Sequence, residues 1–438
     1  MVGLISPRHT TRGQRAGVVF APAIPQNGDS RQKGPLGLMK AQKIGVFLVG
    51  INGSIGTTVT SGVYAAARGL VTPHGLVTEL PGVNSLSLPP LADLRFYGWD
   101  LRSEPHLNRV REQPHIPLSL TEQIAPELSR VRVLPAPRVG VSTRVLGLSR
   151  VPDATAKGSR SDAVYSIRAA IRDTIAEEQL SGAVLVNIAS TEPFAGLMPT
   201  HQSIGQFEEG LAKDDPAISA GMLYAYAALA AKVPYVNFTP STTVDIPALM
   251  EFADVQGVVI AGKDGKTGQT LYKTVLAPMF QLRNLRVSGW YSTNLLGNDD
   301  GYVLSDPAHL QQKVASKLEA LAPILGYDDV DHQVDIHYYA PRGDAKEAWD
   351  VIDFVGWLGA KMSMRVNWLG QDSILAAPLV VDLARLVWFA QQRGERGPAT
   401  QLSAFFKTPL NTREHNFFEQ TRNLMMYCDS ASRRNGGD

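Results

Sequence analysis

A single cysteine, Cys428, stands among 438 residues. It excludes an internal disulfide framework and matches a reducing compartment, so a cytoplasmic protein is expected. An excess of either charge is equally absent, with Lys and Arg together at 42 against 41 for Asp and Glu. A formal charge of +1 gives no field that would draw nucleic acid or an anionic membrane, and a small-molecule partner is expected instead. Long apolar runs are missing too, since stretches such as Ala183 to Ile188 fall far short of the roughly 20 residues that cross a bilayer. The chain has no GxSxG elbow, no CxxC, no HExxH and no GxxxxGK[ST]. His332 and His337, five apart on an expected strand, point to opposite faces and make a poor metal pair, so no metal is implied.

The length and a hydrophobic content of 44% suffice for two cores. In residues 1–39, Arg8, Arg12, Arg15, Arg31 and Lys33 are opposed only by Asp29, and Pro and Gly break any period. A disordered tail is expected there, with a transit peptide or a start at Met39 as alternatives. From Lys43, KIGVFLVG reads as a strand buried on both faces, followed by the turn INGSIG and a helical TTVTSGVYAAARG. Gly50, Gly53 and Gly56 would let the backbone approach a pyrophosphate on the amino end of that helix. Asn52 replaces the usual second glycine, and Glu79 is the nearest match to the acid expected about 20 residues on. Strands and helices then alternate, through a short strand ending at Trp99 and Asp100, a helix marked by Val164, Ile167, Ile171 and Ile175, the strand AVLVNI leading to ASTEP, a helix capped by Asp215, and VPYVNF before the loop TPSTT. An α/β, doubly wound sheet is expected.

Chemistry concentrates between Gly262 and Lys317. In GKDGKTGQTLYKT, Thr267, Gly268, Gln269 and Thr270 open a helix whose unpaired N–H groups suit a phosphate. Asn294, Asn298, Asp299 and Asp300 follow a strand-like run and read either as sugar-hydroxyl ligands or as an ordinary turn. Lys313 and Lys317 share one helix face and repel by roughly 0.2–0.5 kcal/mol, a repulsion that a bound dianion would reverse. Beyond Gly301 the strands QVDIHYY and KMSMRVNW are expected to flank a helix, AKEAWDVIDFVGWLGA, in a partly antiparallel sheet. Asp372 is expected to cap a long helix, SILAAPLVVDLARLVWFAQQ, and FFKTPL sets Lys407 among apolar neighbours.

In order along the chain, GINGSIG, YGWDL, ASTEP, YVNFTPSTT, GKDGKTGQT, STNLLGNDDG, KVASK, RGDAK, QDSILAAPL and FFKTPL resemble the motif series of the myo-inositol phosphate synthase family, over about residues 40–410. The resemblance implies a Rossmann-type doubly wound domain (40–255 and 371–438) interrupted by an α+β catalytic and tetramerisation domain (256–370), hence a homotetramer. It implies NAD, reduced and reoxidised within one turnover, on Gly50, Ile51, Asn52, Gly53, Ser54, Ile55, Gly56, Asp100, Ser190, Asp264 and Asp372. A hexose phosphate would lie on Thr267, Gly268, Gln269, Thr270, Asn294, Asn298 and Asp300, with Lys313, Lys317, Lys346 and Lys407 as the catalytic cluster. The implied enzyme is an isomerase of the intramolecular-lyase kind: oxidation at carbon 5 acidifies carbon 6, whose enolate attacks the sugar's own carbonyl before the hydride returns. Crowded ammonium groups would steady the oxyanions and lower one another's pKa, so that one can act as base.

The sequence departs from the family's usual pattern where Lys263 precedes Asp264 instead of a second acid, and where TPSTT replaces an SPQNT-like loop. Paired acids after the lysine helix are reduced to Glu319. These departures resemble a bacterial branch of carbocyclic-nucleoside (aristeromycin and neplanocin) biosynthesis, which favours fructose 6-phosphate and a five-membered ring over glucose 6-phosphate and a six-membered one. A plain NAD-dependent sugar-phosphate dehydrogenase and a non-catalytic NAD-binding assembly protein are the alternatives.

Overall fold

The computed structural model describes residues 42–102, 104–148, 158–318 and 321–435. The leader 1–39, Glu319 and the side chain of Lys317 lie outside the described residues. Strand β1 (Ile44–Val49) is buried at every position, as a run with no polar alternation must be when both faces are covered. It pairs in parallel with β2 (Leu94–Asp100) on one side and β4 (Gly182–Asn187) on the other. With β3 (Arg132–Pro135), β5 (Tyr235–Asn237), β6 (Val259–Gly262) and β11 (Gly397–Pro398), the order across this parallel sheet is β11-β6-β5-β4-β1-β2-β3. The chain winds outward from β1 to β3 and then resumes at β4 on the opposite flank. That reversal opens a crevice at the carboxyl ends of β1 and β4, where doubly wound sheets take their ligands.

Each face of the sheet has its own core. Val46, Leu48, Val184 and Val186 meet Val59 and Val63 of the helix Ser54–Ala67, together with Val380, Leu383 and Val387 of the helix Asp372–Gln392. The other face packs Phe47 and Leu185 on Ile167, Ile171, Met222 and Leu229. The helix Asp372–Gln392 is long and apolar enough to cross a membrane, but here it is a core helix. Its Asp382 accepts from the Val77 and Thr78 N–H groups at 2.8 and 2.9 Å, and Arg385 holds Glu79 at 2.7 Å. Glu79, the sequence's nearest match to a ribose-binding acid, is thereby spent inside the fold.

A second, four-stranded sheet runs β10-β9-β7-β8, from β7 (Arg286–Leu296), β8 (Asp331–Tyr338), β9 (Ala345–Val355) and β10 (Lys361–Gln371). Here the expectation of a helix over 345–360 is corrected. The segment is β9, antiparallel to β7 and β10, closed by a single turn at Trp357–Gly359. Its Ala, Glu, Lys and Trp suit a helix by propensity. Burial instead alternates, with Ala348, Asp350 and Ile352 inside and Trp349 and Asp353 outside, the period of a strand. An acid in an inward position hid that alternation.

Three local readings also change. β7 runs on to Leu296, which places Asn294 within the strand. Asp215 opens a turn, accepting from the Ala217 N–H at 2.9 Å, and the next helix starts only at Ala220. Asp372 is the first helical residue after Gln371 and makes no cap; its carboxylate goes elsewhere. β6 (Val259–Gly262) belongs to the parallel sheet, and the strands of the second sheet begin with β7.

Candidate active site

The crevice beyond β1 and β4 broadens into a cleft with about 1590 Å³ of empty space, its open mouth included.

One wall is backbone. Gly50 takes φ +90° while its N–H donates to the Trp99 carbonyl at 2.8 Å, which folds the chain back over the strand ends. A Cβ on Gly56 would stand 2.3 Å from the Ile51 carbonyl oxygen, so only glycine lets the helix start this close to the turn. That helix begins with no side-chain cap and no acid in its first turn, leaving its N–H groups for an anion. Asn52, in place of the usual glycine, is fully buried. Its Nδ2 donates to the carbonyls of Arg102 at 3.3 Å and Glu104 at 3.0 Å, and its Oδ1 meets His106 Nδ1 at 2.8 Å, so a side chain fixes the turn where a glycine could not. At the end of β2, Asp100 accepts from the N–H groups of Asn52 and Arg102, each at 2.9 Å. Burial pushes its carboxyl upward in pKa, against those two bonds and the nearby arginines. Ser54, Ile55 and Ser190 also border the cleft. This wall fits a dinucleotide: glycine turn, open helix end and a carboxylate at the tip of β2.

The other wall is built from charge. Lys313 Nζ contacts Asp300 Oδ2 at 2.5 Å, Lys346 Nζ contacts Asp372 Oδ1 at 3.1 Å, and Lys407 Nζ contacts Asp264 Oδ1 at 2.6 Å. These six residues come from the helices Pro307–Leu318, Asp299–Leu304 and Asp372–Gln392, from β9, and from the loops after β6 and before residue 410, and all border the one cleft. Burial opposes the charge of Lys313, but Asp300, Asp264 and Asp372 outweigh it and raise its pKa well above that of an ordinary lysine. For Lys407 the balance reverses, because burial and the ammonium groups of Lys313 and Lys346 together overcome Asp264 and lower its pKa. Burial would raise Asp372, yet Lys346, Lys313 and Lys407 hold it below the usual carboxylate range. One cluster thus holds a lysine fixed as a cation beside one drawn toward neutrality.

Asp264 is set by its backbone. It adopts φ +61°, a left-handed conformation that Asp tolerates better than most side chains. Its N–H donates to the Thr239 carbonyl at 3.0 Å and its own carbonyl accepts from the Lys407 N–H at 2.7 Å. Thr267, Asn298 and Asp300 border the cleft. Gly268 starts its helix at φ +52°. Gln269, Thr270 and Asn294 are buried and do not border the cleft; the Asn294 amide donates to Gln269 at 2.6 Å, which donates to Asp350 at 2.9 Å.

Sequence reading missed several groups. Asp350, on the strand mistaken for a helix, also accepts from Trp290 Nε1 at 2.6 Å and Ser292 Oγ at 2.5 Å. Lys273, wholly buried in the GQTLYK helix, sits 2.8 Å from His332 Nε2, and burial brings its pKa down to about 8 against the pull of Asp350. Glu192 of ASTEP accepts from Ser219 Oγ at 2.8 Å and the Gly221 N–H at 3.0 Å, with its pKa pushed up by burial to about 7. Arg102 reaches Asp299 at 2.5 Å across the cleft. The two departures from the family pattern meet: Lys263 Nζ contacts Thr242 Oγ1 of the TPSTT loop at 3.3 Å and Asp245 at 2.7 Å. Of these, Glu192 lies in ASTEP, Lys273 in GKDGKTGQTLYKT, and Lys263 and Thr242 in the two departing segments, whereas no motif marked Asp350, Arg102 or Asp245.

The family model for myo-inositol-1-phosphate synthase matches residues 44–428. The chain belongs to that family. It is 38% identical, over 85% of its length and 91% of the relative's, to inositol-3-phosphate synthase 1 of Bacteroides thetaiotaomicron. The crystal structure of inositol-3-phosphate synthase from Caenorhabditis elegans overlays with a TM-score of 0.81 at 23% identity, covering 90% of this chain and 87% of that one. A structure of Ari2 overlays at 0.59 and 21% identity, covering 90% and 100%, and shares the fold. The family binds NAD, and the backbone wall is the part of this chain that fits it.

Proposed function

We propose that this protein is a redox-neutral hexose 6-phosphate cyclase that converts glucose 6-phosphate to inositol 3-phosphate. The observation that carries the reading is the convergence of Lys313, Lys346 and Lys407 in one cleft opposite the glycine turn. The name and 91% coverage of the 38% identical relative support the aldose substrate, which now weighs above fructose 6-phosphate.

NAD, held by Gly50 to Gly56, Asp100, Ser190, Asp264 and Asp372, would supply a hydride acceptor that later serves as donor. Lys407, drawn toward neutrality, takes the proton of the hydroxyl being oxidised. Lys313, fixed as a cation, and Lys346 face the oxygens on which negative charge develops. Each ammonium at 4 Å contributes up to about 4 kcal/mol in a protein-like dielectric. Their carboxylate partners hold them in place, so the gain comes from preorganisation more than from net charge. Thr267, Gly268 and Asn298 would receive the phosphate and hydroxyls, with Gln269, Thr270 and Asn294 supporting them from behind.

A five-membered product from fructose 6-phosphate, as in secondary metabolism, is the second reading. It is favoured by the departing loop, which reaches the cleft through Thr239 and Pro240. Incubation of the protein and NAD with each hexose phosphate, followed by mass and proton spectra, decides between them. Accumulating reduced cofactor would indicate a simple dehydrogenase, and unchanged sugars with bound NAD an assembly protein. We further propose cytoplasmic residence, a homotetramer joined through the second sheet, and a division of the chain into a cofactor domain and an inserted catalytic domain.

A further inference from the structure

Lys263 does not line the cleft that holds the lysine cluster. Its ammonium is held by Asp245 Oδ2 at 2.7 Å and Thr242 Oγ1 at 3.3 Å, and Asp245 Oδ1 in turn accepts from the Thr243 N–H at 2.7 Å, so the acceptor is itself fixed. The side chains of Lys263 and Asp245 are only 17% and 14% exposed, which takes the pair out of the weak, screened class of surface ion pairs. The Lys263 N–H donates to the Thr408 carbonyl at 2.9 Å, and the Thr408 N–H donates back at 3.3 Å. Asp264 follows at once and sets its carboxylate on Lys407. A planar peptide joins the two residues, so a swing of one moves the other.

We propose that Lys263 is a positioning residue whose contacts to Asp245 and Thr242 hold the Asp264 carboxylate on Lys407. This rests on the reading that Lys407 titrates during turnover. Lys407 is faced by Asp264, Asp372, Lys313 and Lys346, with His415 against its backbone. If Asp264 withdraws, burial and the two ammonium neighbours act with less opposition and its pKa falls further.

The test is the pH profile of kcat for Lys263→Asp, the charge swap Lys263→Asp with Asp245→Lys, and Asp264→Asn, with Asp245→Asn replacing the first should it not fold. Lys263→Asp is expected to lower kcat about tenfold and move the limb due to Lys407 to lower pH, as Asp264→Asn does, while the swap restores both within threefold. If Asp264→Asn moves the limb but Lys263→Asp and Asp245→Asn leave it in place, or if the swap fails to restore it, the positioning role is overturned. If Asp264→Asn also leaves it in place, the catalytic reading of Lys407 falls, and this proposal with it.

Discussion

Across one cleft, the turn from Gly50 to Gly56 acts through absent side chains, whereas Lys313, Lys346 and Lys407 act through the ends of long ones. The glycine wall is shaped chiefly by neighbours in sequence, a strand, a tight turn and a helix start within Ile44 to Ala67, with Trp99, Arg102, Glu104 and His106, at and beyond the end of β2, pinning the turn. The lysine wall draws on distant parts of the chain, since its six paired residues span Asp264 to Lys407 and hold one another by contacts between separate elements. A backbone site is therefore insensitive to side-chain exchange except where a Cβ collides. A charge site fails as a unit, because each lost lysine strands a carboxylate that is buried, as Asp264, or half-buried, as Asp300 and Asp372.

The sharpest break in this contrast is Lys407→Ala. Turnover is expected to fall about a thousandfold, within the roughly 10²–10⁴ that a positioned general base contributes, and Lys346→Ala, which removes an oxyanion contact, about a hundredfold or more. NAD affinity, measured by titration calorimetry, should stay within a few-fold in both; normal kcat in both would remove the mechanism. On the other wall, Gly56→Ala forces a Cβ to 2.3 Å from the Ile51 carbonyl oxygen and should cost about 1–3 kcal/mol in thermal unfolding while weakening NAD. Gly53→Ala, whose Cβ would lie 3.1 Å from the Gly50 oxygen, should cost visibly less. Asp100→Ala should weaken NAD about tenfold, with the sugar-phosphate KM unchanged, as expected for loss of one charged hydrogen bond of about 1.5 kcal/mol.

The smallest effect concerns Glu192. Its folded carboxyl titrates near 7, above the ordinary value of 4.5, so the unfolded chain loses its proton first. Between about pH 4.5 and 7 the fold therefore loses stability as pH rises, with no further change from this group above pH 7. Unfolding midpoints of Glu192→Gln across that window should decline less than those of the native chain.

The same contrast explains what could be read beforehand. KIGVFLVG and INGSIG announced the strand and turn because burial on two faces and a glycine requirement are local facts. The lysine cluster was not deducible from spacing, for nothing within RGDAK or FFKTPL says that Lys346 and Lys407 share a cleft; only the ordered motif series implied it. β9 was misread because Asp350, an acid in a core position, broke the alternation that marks a strand. Asp372 read as a helix cap because a carboxylate before an apolar run usually is one, whereas here an opposite charge from β9 takes it.

The proposed cyclisation depends most on a hydride that leaves carbon 5 and comes back within one turnover. Glucose 6-phosphate deuterated at that carbon, incubated with the NAD-loaded protein and unlabelled excess cofactor, tests this directly by mass and proton spectra of the product. Retention of the label at the same ring carbon, with no build-up of absorbance from reduced cofactor, is the predicted result. Deuterium appearing in the free nicotinamide pool, or an uncyclised keto sugar as product, would contradict it.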